Sequence, residues 1–317
     1  MNIKEIKKTK SNDDLTLTAY IKSSSKEKTR TDKTYLKVVL QDLTGEIIFC
    51  KWDATVEDIE LLKTGNVVDI VSAKVNLYNN DVNLASTYTT QIKESALPKS
   101  AFVYSIIPEL QDLKDRFSEH YTSIKNPELR VIKTEVLKPN MEMFTNWPAA
   151  ERMHHDERHG LLYHTVRMLD AVTALHSVYG GDLQLMKVAI MLHDLMKIKE
   201  YNVDEEYNGS LSRYAMIGHI PLCYGEIAVL FHDNKISEEL YIALSHCILA
   251  HHGKIEYGSP VRPSTLEAFL ISSIDNIDAK VYTFEKLYHD LEDNEIQAKG
   301  AFHLDNARVF KSPWKSE

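Results

Sequence analysis

Apolar and polar positions change rhythm once along this chain. Over residues 15–92 they alternate or gather in short β-rich runs; from Ile107 onward they recur every three or four positions. In the first region Leu15–Lys22 alternates, Tyr35–Leu40 is rich in β-formers, and Glu46–Trp52 is an apolar run. Asp42-Leu43-Thr44-Gly45, between the last two, is a hairpin signal. Val56–Leu62 predicts a short helix. Gly65 precedes a strand over Val67–Val75, and Tyr78-Asn79-Asn80-Asp81 turns the chain into another over Val82–Ile92. Residues 93–105, with Pro98, read as a linker. In the second region Leu110, Leu113 and Phe117 open a helical pattern. It continues through Glu128–Leu137, Leu161–Tyr179, Leu183–Lys199, Tyr224–Phe231, Glu238–Ala250 and Thr265–Leu291.

Three strands, a short helix and two more strands is the order of an OB-fold, a five-stranded Greek-key barrel. Another small barrel or sandwich is the alternative that strand count leaves open. The expected architecture is multidomain. An all-β OB-fold barrel spans 1–95, a linker and helical lead-in 96–150, an all-α domain 151–300 and a C-terminal tail 301–317. The tail residues Phe302, Val309, Phe310 and Trp314 would dock either on their own domain or on a second copy, as in a homo-oligomer.

Composition narrows the class. With 44% apolar and 26% charged residues in 317, there is material for real cores. No apolar run reaches the ~18–20 residues of a membrane span. The basic start, Met1–Lys10, is followed by no apolar stretch, so no secretory signal is expected. Three widely spaced cysteines, Cys50, Cys223 and Cys247, fit reduced thiols of a cytoplasmic protein. The net charge is −9, unevenly spread: residues 1–100 hold 15 Lys and Arg against 14 Asp and Glu, the remainder 22 against 32. The front can meet a polyanion; the back would repel one unless metal ions intervene.

Most of the fourteen histidines fall between His154 and His289, and five places there combine metal-ligand types. They are His164, the pair His193-Asp194, His219, the pair His251-His252, and Asp275. Several sit in apolar helical runs, where a carboxylate costs several kcal/mol unless paired or metal-bound. Imidazole with carboxylate suits Mn, Fe, Co, Ni or Zn, and the lack of cysteine disfavours a structural zinc site. Lys197 lies one turn past His193 and Asp194, where its ammonium would hold a phosphate oxygen; a solvated lysine is the plain alternative. Arg262, in the loop Gly258-Ser259-Pro260-Val261-Arg262-Pro263, would grip a phosphate or form a loop salt bridge. His252 either replaces His251 as ligand or supports it from behind, and His246 either supports the site or is simply packed. His154, His155 and His159, among Asp156, Glu157 and Arg158, read as a solvated helix entry. His176, His232, His289 and His303 read as surface residues, and Cys223 and Cys247 as inert core thiols.

The order His … His-Asp … His … His … Asp over residues 155–290, with members 24 to 32 residues apart, resembles the HD superfamily of metal-dependent phosphohydrolases. The resemblance implies that His164, His193, Asp194 and Asp275 hold one divalent ion. His219 and His251 are the pair that binuclear members add, with Asp194 bridging the two. It implies a phosphoester substrate and a metal-activated water, with Asp194 and Lys197 as the catalytic residues and the HD-x-x-K spacing placing Lys197.

The front module narrows the substrate. An OB-fold binds single strands through aromatic platforms and basic residues, here Lys33, Tyr35, Lys37, Trp52 and Tyr78, with Phe49, Lys51, Lys74 and Tyr88 as further candidates. Phe49 is the one most suited to the barrel interior. The basic stretch Lys22–Lys37 reads as an exposed loop. An OB-fold followed by an HD domain at this length resembles the YhaM-type 3′–5′ exoribonucleases of Gram-positive bacteria. The stretches Leu249-Ala250-His251-His252-Gly253 and Asp275-Asn276-Ile277-Asp278-Ala279-Lys280, with the Arg262 loop, carry the likeness. It implies removal of nucleotides from the 3′ ends of RNA, and often of single-stranded DNA, with Mn2+ as the favoured ion. The alternatives are a small-molecule or cyclic-nucleotide phosphodiesterase or nucleotidase of the HD type, and a non-catalytic RNA-binding protein.

Overall fold

The computed structural model describes residues 1–9, 14–29, 32–78, 81–102, 105–150, 157–203, 209–297, 300–301 and 304–314. They form two compact units, Met1–Ser105 and Ile106–Glu317.

The first unit is a barrel. Its strands are β1 (Leu15–Lys28), β2 (Thr34–Asp42), β3 (Gly45–Trp52), β4 (Val67–Tyr78) and β5 (Asp81–Ala85), with β6 (Gln91–Glu94) added at the edge. Hydrogen bonding runs β1-β2-β3-β5-β4, and β1 also pairs with β4, which closes the cylinder. β1 serves two neighbours, with a register shift between Ile21 and Ser23: Leu15–Tyr20 pairs with β4, and Tyr20–Lys28 with β2. The β3–β5 pair is the one parallel junction of this closure. Helix α1 is Ile3–Lys8, and helix α2, Val56–Leu61, lies between β3 and β4. This is the OB-fold arrangement. The β2–β3 hairpin turns where the sequence places it, with Asp42 opposite Gly45. The inward residues Leu17, Val38, Leu40, Phe49, Val68, Ile70 and Leu84 form the core.

Four details differ from the sequence expectation. The charged stretch Lys22–Lys37 is mostly the paired ends of β1 and β2, and Lys22–Lys28 of β1 is wet on both faces, so no apolar alternation marks it. The strand expected over Val82–Ile92 is two, β5 and β6, separated by a turn in which Thr87 and Thr90 bond each other and Ser72. The linker expected over 93–105 is partly folded, with Phe102 buried beside Tyr20 and Val67. Helix α1, which no apolar period announces, is set by a capping box: Asn2 accepts from the Glu5 amide and Glu5 from the Asn2 amide. Its Ile3 and Ile6 seal the barrel core. Asn2→Ala should weaken the cap by ~1 kcal/mol and speed hydrogen exchange of the Ile6 amide about fivefold. An unchanged exchange rate would show that core packing alone holds the helix.

The second unit is helical: α3 (Leu110–Ser123), α4 (Pro127–Ile132), α5 (Met141–Asn146), α6 (Gly160–Tyr179), α7 (Leu183–Leu192), α8 (Lys197–Glu200), α9 (His219–His232), α10 (Glu238–Ala250) and α11 (Leu266–Asp290). A short hairpin, β7 (Tyr201–Val203) with β8 (Gly209–Leu211), interrupts it; three-residue strands are too brief to leave a pattern. The core centres on α6, α7, α10 and α11. The helix expected over Leu183–Lys199 stops at Leu192. Residues 193–196 continue through tight turns into α8, with the Leu195 and Lys197 amides bonding three residues back. α9 begins at His219, not Tyr224, because Pro221 sits in the first turn, where its missing N–H costs nothing. No helix of the described residues is long and apolar enough to cross a membrane. In the tail Leu304 and Val309 are buried, Phe310 and Trp314 are 48% and 79% exposed, and Phe302 lies outside the described residues.

Candidate metal centre

Five separate places in the fold supply the site residues. His164 lies within α6, His193 and Asp194 in the turn after α7, His219 at the first position of α9, His251 just after α10 and Asp275 within α11. The elements converge on Asp194, buried with 4% exposure. Its Oδ2 lies 3.4 Å from His193 Nε2 and 3.8 Å from His164 Nε2. Its Oδ1 lies 3.2 Å from His219 Nε2 and 3.7 Å from His251 Nε2. Asp275 Oδ1 is 3.4 Å from His164 Nε2. The ligand-type atoms fall into two groups, His164, His193 and Asp275 on one side, and Asp194, His219, His251 and His252 on the other. Within each group they lie within 4.8 Å of one another.

Outer hydrogen bonds fix which nitrogen of each ring carries the proton. His193 Nδ1 donates to the Ile190 carbonyl and His251 Nδ1 to the Ile248 carbonyl, both at 2.7 Å. His164 Nδ1 donates to Asp278 Oδ2 at 2.7 Å, and His219 Nδ1 to Glu200 Oε2 at 2.6 Å. Every partner is an acceptor only, so in the neutral ring every inward Nε2 bears a bare lone pair. His164 and His193 even point these nitrogens at each other, 3.2 Å apart. Asp194 Oδ1, His219 Nε2 and His251 Nε2 are buried atoms with no hydrogen-bond partner among the described residues. Lone pairs facing lone pairs in a dry interior are unfavourable unless a cation lies between them. The donor set, imidazole and carboxylate without thiol, suits a divalent transition ion. HD domains are metal-dependent, and this cluster fits such ions.

Charge balance agrees with that reading. Burial would raise the Asp194 carboxyl, but Lys197 and His193 hold it well below the usual range. Burial would lower His164, but Asp275 and Asp278 raise it to about 10, so its inward nitrogen holds a proton or a metal cation rather than a bare lone pair. The carboxylates thus demand positive charge where the rings point. Burial and His251 together push His252 down to about 4.

Lys197 is not the solvated residue of the plain alternative. It is buried, and its ammonium is 2.7 Å from Asp194 Oδ2. His252 belongs to the second group, its Nδ1 donating to the Tyr257 carbonyl at 2.9 Å, so His251 and His252 both reach the site. His246 stands apart: its Nε2 accepts from the Ser264 amide and tethers that loop. Arg262 is exposed and, with Gly253, Lys254, Glu256 and Tyr257, lines an open groove of about 580 Å³ next to His252. His159 is no solvated entry residue; its Nδ1 bonds the Thr145 carbonyl. His154, His155 and His303 lie outside the described residues. His232 and His289 are exposed and His176 is half-buried. Burial pushes both core thiols up, Cys247 to about 12.

Sequence reasoning missed Asp278 and Glu200, which orient His164 and His219. The available signal was spacing: Asp278 lies one helical turn after Asp275, and Arg167, one turn after His164, meets it at 2.5 Å. In the barrel Tyr35 and Trp52 face each other across β2 and β3, ring centres 4.8 Å apart. Phe49 is in the core and Lys33 is exposed. The tyrosine side chain of Tyr78, at the end of β4, lies outside the described residues. The lysine field is less open than composition implied: Lys37 pairs with Glu27 at 3.3 Å, Lys51 with Asp58 at 3.0 Å and Lys74 with Asp14 at 3.7 Å.

The HD domain family matches residues 161–280. The 3′–5′ exoribonuclease YhaM of Oceanobacillus iheyensis is 31% identical over 294 residues, 92% of each chain. That of a Geobacillus species is 30% identical over 298 residues, 93% of this chain and 91% of the relative. Among solved structures, an OB domain from Thermoplasma acidophilum aligns with a TM-score of 0.24 at 18% identity, over 28% of this chain and 79% of that one. The two curated likenesses run through barrel and helical unit alike, and on them the chain belongs to the family of YhaM 3′–5′ exoribonucleases.

Proposed function

We propose that this chain hydrolyses single-stranded RNA, and single-stranded DNA, from the 3′ end at a centre of two divalent ions, with Mn2+ the preferred metal. The observation that carries the reading is Asp194, whose two oxygens face two separate sets of inward imidazoles. His164, His193 and Asp275 would hold one ion, and His219, His251 and His252 the other, with Asp194 shared. When bound, the ions supply a water of lowered pKa and offset charge developing on the phosphodiester. The protein's own part is orientation. Asp278 and Glu200 fix the rings of His164 and His219, and the carbonyls of Ile190 and Ile248 fix those of His193 and His251. Lys197, held on Asp194, sets its charge beside the reacting phosphate, and Arg262 reaches a phosphate further along the groove. In the barrel the Tyr35–Trp52 pair offers a stacking face, exposed Lys33 offers a phosphate contact, and Lys37 offers another by exchanging Glu27 for a phosphate. Three unpaired thiols suit the reducing cytoplasm.

The test is a time course of product lengths. RNA labelled at its 5′ end, given to chelator-treated protein with Mn2+ restored, should shorten one nucleotide at a time, while RNA with a blocked 3′ end should persist. Cleavage of a cyclic dinucleotide in preference to RNA would overturn the reading in favour of a small-molecule phosphodiesterase.

A further inference from the structure

We propose that a second cavity of the helical unit, separate from the Arg262 groove, is a nucleobase pocket for a nucleotide of the bound strand. The proposal rests on the exoribonuclease reading. The cavity is an open cleft of about 640 Å³ lined by Trp147, Ile198, Lys199, Tyr201, Arg213 and Tyr214. That volume falls in the roughly 300–1,000 Å³ range of small-ligand sites.

Trp147 supplies the first argument. Its backbone is fixed on both sides, its amide donating to the Met143 carbonyl at 2.9 Å and its carbonyl accepting from the Leu161 amide at 3.1 Å. Its indole Nε1–H is shielded from water and has no acceptor among the described residues. An unmet buried donor is costly, and a turn of the indole toward the cleft would match it with an acceptor brought by a ligand. Every base offers ring nitrogens or carbonyl oxygens in its plane.

The aromatic walls supply the second. Tyr214 is 39% exposed, and the Arg213 guanidinium lies 5.3 Å over its ring. Stacking surfaces with one cation suit a flat heteroaromatic ring attached to a phosphate. A bare phosphate would find less here, because Lys199 is already paired with Glu226 at 2.8 Å.

The third is location. Ser212 ties this wall to α8, its Oγ donating to the Lys199 carbonyl at 2.5 Å and its amide to the Glu200 carbonyl at 2.9 Å. The same short helix carries Lys197, which holds Asp194, and Glu200, which holds His219. A base seated here is therefore anchored to the element that organises the metal centre. Stacking is sequence-tolerant, so the pocket gives grip without base preference.

The experiment uses the full-length enzyme with Mn2+. RNA oligomers carrying a single abasic nucleotide at successive positions from the 3′ end are compared with intact RNA, for wild type, Trp147→Phe and Tyr214→Ala. In wild type one position should raise KM about tenfold with kcat nearly unchanged. Tyr214→Ala should raise KM for intact RNA by a similar factor and erase the penalty at that position, and Trp147→Phe should reproduce part of the effect. Hydrolysis of bis(p-nitrophenyl) phosphate should be equal in all three proteins. A flat abasic profile, or a penalty that survives Tyr214→Ala, overturns the pocket. Parallel loss on the small diester also overturns it, since the residues would then merely support α8. Wild-type hydrolysis of the small diester without shortening of intact RNA would instead sink the exoribonuclease reading itself.

Discussion

Asp194→Ala should lower RNA hydrolysis by on the order of 10³-fold or more, while single-stranded RNA binding stays within a few-fold of wild type. Metal-assisted stabilisation of a phosphodiester transition state is worth several kcal/mol, and ~4 kcal/mol corresponds to about 10³ in rate. Among the described residues this carboxylate is the one group that faces both sets of imidazoles: Oδ2 toward His164 and His193, Oδ1 toward His219 and His251. Its removal should therefore disable both proposed ion positions together, whereas loss of any one histidine touches a single set. The substitution also leaves the buried Lys197 ammonium without its partner 2.7 Å away. Breaking one side of a buried pair costs ~3–5 kcal/mol, so misfolding is a rival explanation for lost activity. The double variant Asp194→Ala/Lys197→Met separates the two effects. It removes both charges at once, should recover thermal stability, and should remain inactive. Undiminished hydrolysis by a well-folded Asp194→Ala protein would remove this residue from the chemistry. Because the aromatic pair Tyr35–Trp52 belongs to the barrel unit, RNA retention on a filter should persist in both variants.

The site residues that sequence alone made visible were those whose chemistry clashes with their surroundings. His193-Asp194 within Met191-Leu192-His193-Asp194-Leu195, and Asp275 within an apolar helix, are costly to bury without a purpose. The residues that orient them were hidden for the opposite reason. Asp278 and Glu200 are ordinary helix-compatible carboxylates, and only the fold reveals that they accept from His164 and His219. Fold details failed where local pattern is degenerate. Apolar spacing cannot distinguish an α-helix running on through residues 193–196 from tighter turns that lead into α8, where Lys197 meets Asp194. The charged outer half of β1, Lys22–Lys28, looked like a loop because a strand wet on both faces carries no period-2 signal. The barrel itself was legible, since alternation, the Asp42–Gly45 hairpin and the helix after the third strand fix the order of elements. What no linear pattern could disclose was that β1, with a register shift between Ile21 and Ser23, pairs with both β2 and β4 to close the cylinder.

Asp278→Ala should weaken metal binding about 10–100-fold while leaving kcat at saturating Mn2+ within a few-fold of wild type. The carboxylate has one oxygen 2.7 Å from His164 Nδ1 and the other 2.5 Å from Arg167 Nε, and Arg167 is held in turn by Glu285 at 2.7 Å. The chain Glu285–Arg167–Asp278–His164 thus runs from the partly exposed end of α11 into the centre of the cluster. Its effect on the ring is twofold. It fixes the tautomer, so that the inward nitrogen carries a lone pair, and the negative partner makes that nitrogen a stronger donor. Alanine removes both, leaving the His164 ring to rotate and to exchange its proton between nitrogens. Excess metal compensates by mass action, because Asp278 itself does not face the reacting phosphate in the proposed arrangement. Asp278→Asn should fall between, since an amide oxygen still accepts from Nδ1–H but lacks the charge. A calorimetric Mn2+ titration beside an activity titration checks the point. If Asp278→Ala binds Mn2+ as tightly as wild type, the ring of His164 is held by α6 packing alone and the carboxylate serves only to neutralise Arg167.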